Sequence, residues 1–121
     1  MTDGFIYHLA LDHEWAEAVA AGEYRRSTLG RSLAEVGFVH CSFPSQAQGV
    51  ADAFYRGRED VVLLQIDPRR LGSPVVVEGP DGGFPHVYGP VPVAAVARTT
   101  PVPVGPDGRL AVTAAVEGEG P

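Results

Sequence analysis

A short buried strand is predicted at Gly37-Phe38-Val39-His40-Cys41-Ser42, where Phe and Val favour a strand and glycine marks its start. Successive side chains of a strand point to opposite faces. We therefore expect His40 and Ser42 to lie on one face and Cys41 on the other. The strand places an imidazole and a hydroxyl side by side, which is the first indication of a functional site.

A second stretch has the same design. Phe84-Pro85-His86-Val87-Tyr88-Gly89-Pro90 places His86 and Tyr88 on one strand face and Val87 on the other. The two stretches are far apart in sequence, yet each carries a pair of polar side chains. We predict that they line a common cleft and that the rest of the chain supports it.

The remaining strands follow from apolar and aromatic runs. Val61 to Asp67 is the most hydrophobic run and predicts a central strand buried on both faces, which ends at Pro68. Other strands are predicted at Phe5 to Ala10, which carries His8, at Pro74 to Glu78, and at Val91 to Thr100.

Three helices are predicted between these strands. Asp12 is expected to cap a helix that runs to Ala21 and ends at Gly22, with Trp15, Ala18 and Val19 buried. A polar loop from Glu23 to Gly30 precedes a short helix around Ser32 to Val36, which Gly37 ends. A third helix begins near Ser45 and ends near Gly57, with Val50, Ala53 and Phe54 as its buried stripe.

This order of elements predicts an α+β fold with a small, mostly antiparallel sheet and two or three short helices. Several strands follow one another at the end of the chain without helices between them, which excludes a doubly wound βαβ fold. We expect one domain over residues 1–110 and a flexible tail over residues 111–121.

Composition excludes several classes of protein. The chain has 121 residues, a net charge of −6 and a pI near 5.0, which disfavours binding to nucleic acid or to an anionic membrane. A local basic pocket stays open as an alternative, since Arg25, Arg26 and Arg31 occur in one segment. Its one cysteine cannot form an internal disulfide, no apolar run is long enough to span a membrane, and no signal peptide is apparent. These features predict a cytoplasmic protein.

Several familiar chemistries lack their usual signature. The four histidines, His8, His13, His40 and His86, show no pair at the spacing of a zinc site, so no metal is expected. The Gly-x-Ser-x-Gly elbow of serine hydrolases and the lysine of a phosphate-binding loop are missing. Cys41 is expected to be a small buried hydrophobic residue.

What remains is a cleft whose side chains suit ribose hydroxyls, carboxamides or phosphates. Each residue also has a structural alternative, such as a core histidine at His8 or an exposed strand end at Glu78. The candidate site residues are His8, Tyr24, Arg25, His40, Ser42, Glu78, His86 and Tyr88.

Taken together, the motifs resemble a small bacterial family, domain of unknown function 952. The resemblance covers about residues 5 to 100 and includes both stretches quoted above, the first strand with His8, and Phe54-Tyr55-x-Gly57. That family is distantly similar to the ADP-ribosyltransferase superfamily, whose split β-sheet holds NAD in a central cleft.

The superfamily resemblance implies roles for individual residues. His8 corresponds to the first-strand residue that contacts the nicotinamide-side ribose, and Ser42 to the second-strand residue that supports the nicotinamide pocket. The late acidic residue has no evident match, since His86 and Tyr88 occupy that motif and Glu78 lies eight residues earlier. On this basis His8, His86 and Glu78 are the candidate catalytic residues, and the others bind substrate.

Three functions fit such a cleft. The leading one is an ADP-ribosyltransferase-like domain that binds NAD or a related nucleotide and cleaves the nicotinamide–ribose bond, with NAD as substrate. The alternatives are a non-catalytic module for a small polar metabolite, and a hydrolase or isomerase that uses His40 and His86 as acid and base. The expected partner is a small molecule, and a free sheet edge is compatible with a monomer or a weak dimer.

Overall fold

The computed structural model describes residues 4–118, which form an α+β fold of short elements. The strands are β1 (Ile6–Leu11), β2 (Glu23–Tyr24), β3 (Arg26–Thr28), β4 (Arg31–Ser32), β5 (Val39–His40), β6 (Val61–Ile66), β7 (Val75–Glu78), β8 (Phe84–Val87), β9 (Val91–Pro92) and β10 (Val96–Pro101). The helices are α1 (Asp12–Ala21), α2 (Leu33–Val36), α3 (Ala47–Phe54) and α4 (Val112–Glu117). Within the described range no helix is long and apolar enough to cross a membrane.

The first sheet has the order β1-β6-β10, and all its neighbours are antiparallel. The hydrophobic run of β6 lies in the middle, as predicted, with Leu64 and Ile66 completely buried. Side chains on alternate positions of β1 enter two different cores. Ile6 and Ala10 pack on one side of the sheet, whereas Tyr7 and Leu9 pack on the other.

The second sheet has the order β5-β8-β7 and is also antiparallel. Its register places His40 opposite His86, so the two polar stretches of the sequence are direct neighbours. A short junction joins it to the first sheet. There Tyr7 and Ser42 exchange two backbone hydrogen bonds of 2.8 and 2.7 Å. The predicted strand over residues 37–42 is therefore divided, with His40 in one sheet and Ser42 against the other.

Helix α1 ends as predicted at Gly22, but its start and its buried face differ from the prediction. Gly22 adopts a left-handed conformation (φ 92°) and donates its N–H to the carbonyl of Ala18, as expected of a C-terminal glycine. Asp12 is the first helical residue and makes no capping bond, so its predicted capping role is wrong. Ala18 is buried, but Val19 is 54% exposed, because the helix covers the sheet with a narrower face than predicted.

Helix α3 packs through small residues. Ala47 and Ala51, which are four positions apart, are buried against Tyr55, whereas Phe54 is 68% exposed. The predicted stripe is thus right for Val50, which is partly buried against the same core, and wrong for Ala53 and Phe54, since close approach to the sheet selects the alanine face. The helix begins at Ala47, two residues after the predicted start near Ser45. The side chain of the preceding Gln46 accepts the N–H of Phe43 at 2.9 Å.

The chain near α2 is fixed by a reciprocal cap. Ser32 accepts the N–H of Glu35, and the Glu35 carboxylate accepts the N–H of Ser32 at 2.7 Å. Gly37 ends the helix in a left-handed conformation, as predicted. The expected polar loop from Glu23 to Gly30 contains β2 and β3, which pair with β9 and β4 respectively.

One long strand was expected at Val91 to Thr100, and the structure has two strands with a turn between them. β9 pairs with β2, whereas β10 pairs with β6. The chain changes partner through a 3₁₀ turn at Val93–Ala95, where the carbonyl of Ala95 accepts the N–H of Asp67. Apolar periodicity cannot reveal such a change, because the run from Val91 to Ala97 is apolar throughout and continues from β9 into β10.

The C-terminal segment differs from the flexible tail expected over residues 111–121. Within the described part of that segment, α4 packs on α3, with Val112 completely buried. The start of α4 is capped by a remote side chain. The Gln48 Oε1 atom accepts the N–H groups of Val112 and Thr113 at 3.0 and 2.9 Å, and Gln48 Nε2 donates to the carbonyl of Leu110 at 2.9 Å.

We expect Gln48→Ala to lower the free energy of unfolding by about 1–3 kcal/mol, because it leaves the N–H groups at the start of α4 without acceptors. Urea unfolding followed by circular dichroism measures this change. Gln46→Ala is a matched control at the residue that precedes the same helix, since its side chain forms hydrogen bonds with Phe43 and Gly83 and none with the described residues of α4. If the packing of α4 contributes nothing to stability, Gln48→Ala and the wild type will have the same unfolding curve.

Candidate functional site

A cavity of about 650 Å³ opens between the two three-stranded sheets. Its walls come from β1 and β6 of the first sheet, from β5, β7 and β8 of the second, from α3, and from the β3–β4 hairpin. This volume suits a small organic ligand or a large part of a dinucleotide. The second sheet contributes the polar side chains His40, Glu78 and His86, whereas α3 contributes the apolar side chains Ala47, Val50 and Phe54.

The carboxylate of Glu78 organises the polar wall. It accepts a hydrogen bond from the His86 Nδ1 atom at 2.9 Å and a second one from the hydroxyl of Tyr88. Because the carboxylate is an acceptor, neutral His86 must carry its proton on Nδ1, which leaves Nε2 as an acceptor. Glu78 thus orients His86 in the way that a carboxylate orients the imidazole of a hydrolytic triad.

Aromatic rings surround this pair. Phe38 stacks on His86 with ring centroids 4.0 Å apart and planes 15° apart, and it also contacts the ring of Tyr88 at 5.2 Å. The His40 ring lies 5.2 Å from the ring of His86 in an edge-on arrangement. These contacts hold both imidazoles in defined orientations at the cavity wall.

The protonation states of the wall follow from these contacts. Hydrogen bonds from Tyr88 and His86 hold the pKa of Glu78 below its ordinary value of 4.5, so the carboxylate is ionised near neutral pH. The hydrogen bond to Glu78, more than the charge of the carboxylate, raises the pKa of Tyr88, which remains a phenol. Partial desolvation, and then repulsion by His86, lower the pKa of His40 from 6.5. The wall therefore presents one negative charge beside rings that can accept protons.

His8 is held differently. Its side chain is buried, its Nδ1 atom donates to the carbonyl of His40 at 2.5 Å, and its Nε2 atom accepts from the Tyr24 hydroxyl at 2.8 Å. Burial lowers the pKa of His8 to about 4, so the ring is neutral. Both ring nitrogens are engaged by the protein, which makes His8 a link between β1, β5 and β2 in this conformation.

The candidate residues from the sequence fall into three groups. His8, His40, Ser42, Glu78 and His86 line the cavity, although Ser42 is largely buried. Tyr88 and Tyr24 do not line the cavity. Their hydroxyls donate hydrogen bonds to the lining residues Glu78 and His8 respectively. Arg25 lies elsewhere, paired with Glu23 at 2.5 Å in a separate surface groove beside α1.

A family model described as "Protein of unknown function (DUF952)" matches residues 9–99, which include both polar stretches. The chain belongs to this family. A match of this length covers most of the elements that build the cavity walls. No curated protein matches the chain.

Solved structures similar to this DUF952 member come from Caulobacter crescentus. A crystal structure of protein CC0527 is 30% identical, with a TM-score of 0.83, and the match covers 93% of this chain and 98% of that one. A crystal structure of a double mutant of CC0527 has the same identity, coverage and TM-score. A solution NMR structure of CC0527 is 34% identical, with a TM-score of 0.72, and covers 87% and 90% of the two chains. These likenesses support the α+β architecture.

Sequence reasoning missed several residues that line the cavity of this DUF952 domain or contact its lining. Phe38 belongs to the first polar stretch and contacts both histidines, but strand alternation alone gave it no function. Phe54 was assigned to the core and lies at the cavity instead. Arg31 was noted only as part of a basic segment. It lines the cavity, whereas Arg25 and Arg26 line a separate groove beside α1. Residues on short hairpins carry no periodic signal that could have placed them.

Metal and thiol chemistry find little support in the described residues. Among residues 4–118, no group of three or more His, Cys, Asp or Glu side chains is arranged to hold a metal ion. Cys41 is buried, and burial raises the pKa of its thiol well above the ordinary value, which opposes a thiolate nucleophile. The Glu78 and His86 pair is the strongest candidate for chemistry in this cavity.

Proposed function

We propose that this DUF952 domain binds NAD or a related nucleotide in the cavity and cleaves the nicotinamide–ribose bond. The observation that carries the proposal is the ionised carboxylate of Glu78, which His86 and Tyr88 hold at the wall of a 650 Å³ cavity between two sheets. The distant resemblance to ADP-ribosyltransferases supports it, since Glu78 supplies the acidic group that the sequence motif lacked.

Cleavage of this bond develops positive charge on the ribose. The bond between C1′ and the nicotinamide nitrogen breaks, and the electron pair leaves with nicotinamide. A fixed carboxylate beside the ribose stabilises the oxocarbenium-like transition state. Water or an acceptor hydroxyl then adds to C1′ and loses a proton, for which the Nε2 atom of His86 is the available acceptor.

Other residues of the site are assigned to binding. Ser42 and His40 orient the substrate from β5 and the junction, and Phe54 offers an exposed ring on which a base or nicotinamide stacks. His8 is assigned a positioning role through the carbonyl of His40, in place of direct contact with the ribose. Tyr88 positions Glu78 by its hydrogen bond, and Tyr24 positions His8.

A second function rests on the two histidines. His40 and His86 are opposite each other across β5 and β8, with ring centroids 5.2 Å apart, and Glu78 orients one of them. Such a pair can act as acid and base in a hydrolase or isomerase of another small metabolite. Turnover of a different compound without nicotinamide release would favour it, and binding without turnover would favour a non-catalytic module.

Oligomeric state and location are further proposals. β7 forms an edge of the second sheet, and its residues Val75, Val76 and Val77 are exposed, which supports a weak dimer as the alternative to a monomer. The single cysteine and acidic composition support a cytoplasmic protein whose partner is a small molecule.

Calorimetric titration with NAD, ADP-ribose and nicotinamide mononucleotide tests the binding step. We expect saturable binding of NAD, and about tenfold weaker binding by Phe54→Ala, because stacking on an aromatic ring contributes about 1–3 kcal/mol per base. Phe54 is exposed, so its truncation should leave the fold intact. Val19→Ala is the matched control, since Val19 is also exposed but lies on α1 outside the cavity lining.

The titration has clear negative outcomes. No heat with any of the three compounds, from a protein that is folded by circular dichroism, would exclude the NAD hypothesis. Equal weakening by Phe54→Ala and Val19→Ala would place the ligand outside the cavity. Release of nicotinamide, followed by chromatography, then separates a catalytic domain from a binding module.

A further inference from the structure

Apart from its histidines, the cavity has two charged side chains among the described lining residues, Arg31 and Glu78. They come from different walls. Arg31 begins β4 in the β3–β4 hairpin, and Glu78 ends β7 in the second sheet. The cavity therefore has one fixed positive group and one fixed negative group.

Among the described residues, Arg31 differs from most arginines in forming no ion pair with a carboxylate. The pKa of the neighbouring Glu35 is lowered mainly by its hydrogen bonds with Ser32 and only in smaller part by the charge of Arg31. The sequence contains nine arginines and no lysine. Ion pairs with carboxylates engage Arg25, Arg26, Arg58, Arg69, Arg70 and Arg109. Arg31 has no ion pair or hydrogen bond from its guanidinium within residues 4–118, and its side chain lines the cavity.

The backbone around Arg31 is well fixed. It pairs with Thr28 across the hairpin, and the next residue, Ser32, is held by the reciprocal cap with Glu35. A guanidinium on a fixed hairpin presents a planar set of donors that matches the oxygens of a phosphate. Thr28, which also lines the cavity, adds a hydroxyl beside it.

We propose that Arg31 binds a phosphate or pyrophosphate group of the ligand, so that the cavity selects molecules that are anionic at the hairpin and cationic near Glu78. This inference rests on the proposed function, since NAD carries a pyrophosphate and a nicotinamide cation. It adds the prediction that uncharged nucleosides are poor ligands, and that Arg31 determines this selectivity.

The test compares Arg31→Gln with Arg25→Gln, which removes the same charge from a residue of the neighbouring groove. ADP-ribose, adenosine and inorganic pyrophosphate are the probes, titrated by calorimetry at two salt concentrations. We expect Arg31→Gln to weaken ADP-ribose binding by about 10- to 100-fold, the range for a charged hydrogen bond, and to reduce its salt dependence. Arg25→Gln should change the affinity less than about twofold, in line with an exposed pair. Adenosine affinity should be equal in all three proteins.

The outcomes separate this inference from the proposed function. If ADP-ribose binds Arg31→Gln as tightly as the wild type, the phosphate site at Arg31 is wrong and the NAD hypothesis stands. If neither NAD nor ADP-ribose binds, but pyrophosphate shifts the NMR signal of the Arg31 Nε–H and loses affinity in Arg31→Gln, the anion site stands and NAD is excluded. If pyrophosphate also fails to bind, both are wrong.

Discussion

Glu78→Gln is expected to lower the rate of nicotinamide release from NAD by about 10²- to 10³-fold, the usual cost of removing one electrostatic contact to a transition state. The substitution keeps the size of the side chain and removes its negative charge. That charge is fixed next to His86 and Tyr88, so no other described side chain of the cavity can replace it. Single-turnover release of nicotinamide at saturating NAD is the direct measurement.

Two controls separate transition-state stabilisation from binding. Tyr88→Phe removes one hydrogen bond to Glu78 but keeps the charge, so we expect a loss of less than about tenfold. The affinity of Glu78→Gln for ADP-ribose should stay within about threefold of the wild type, because the product carries no cationic ribose. A Glu78→Gln protein that keeps more than about a third of the wild-type rate would rule out the catalytic role of this carboxylate.

The free energy of unfolding is expected to fall by roughly 3 kcal/mol as the pH decreases from above 6.5 to about 4, because of His8. Burial lowers the pKa of this histidine from 6.5 to about 4 in the folded protein. Between these values the unfolded chain binds a proton that the folded chain does not. Stability is therefore complete above pH 6.5 and is lost progressively as the pH falls toward the folded pKa. His40, whose pKa is also lowered, acts in the same direction.

Urea unfolding at about pH 7.5 and about pH 5 measures this effect. His8→Gln should be less stable at neutral pH and should show a flatter pH dependence, since its amide does not titrate. His13→Gln is the matched control, because it makes the same change at an exposed histidine on α1. An identical pH slope in the wild type and His8→Gln would show that His8 is not held neutral by the fold.

The sequence predicted the fold class and most of the elements for physical reasons that act locally. The run of β6 could be placed because seven consecutive residues before Pro68 are predominantly apolar. Gly22 and Gly37 could be assigned as helix ends because glycine favours the positive φ of a C-terminal cap. Both residues adopt a positive φ in the structure. The matching design of the two polar stretches predicted a common cleft but not strand pairing, and the structure places His40 directly opposite His86.

Features that depend on tertiary partners could not be predicted in this way. The buried face of α3 is set by how closely the helix approaches the sheet, which favours Ala47 and Ala51 over Phe54. Formation of α4 depends on Gln48, which lies more than sixty residues away. Division of the last predicted strand follows from two different pairing partners. In each case the deciding contact is distant in sequence.

The candidate site was predictable where the residues shared a strand motif. His40, Ser42, Glu78 and His86 were found because they occur at or near strand ends, and all four line one cavity. Arg25 was predicted to bind substrate and Arg31 was not. Both belong to one basic segment, and the sequence does not show that the β3–β4 hairpin directs Arg31 to the cavity and leaves Arg25 at a separate groove. Tyr24 was expected at the surface of the cleft, but it is buried against His8.

The junction between Tyr7 and Ser42 is where the backbones of the two three-stranded sheets meet. One pair of backbone hydrogen bonds joins the sheets at this point, and such bonds contribute only about 0.5–1.5 kcal/mol each to stability. The bond from His8 to the carbonyl of His40 and a shared apolar core that includes Ile6, Val39 and Val87 also connect the sheets. The separation of the sheets, and with it the width of the cavity, therefore depends more on side-chain packing than on backbone pairing.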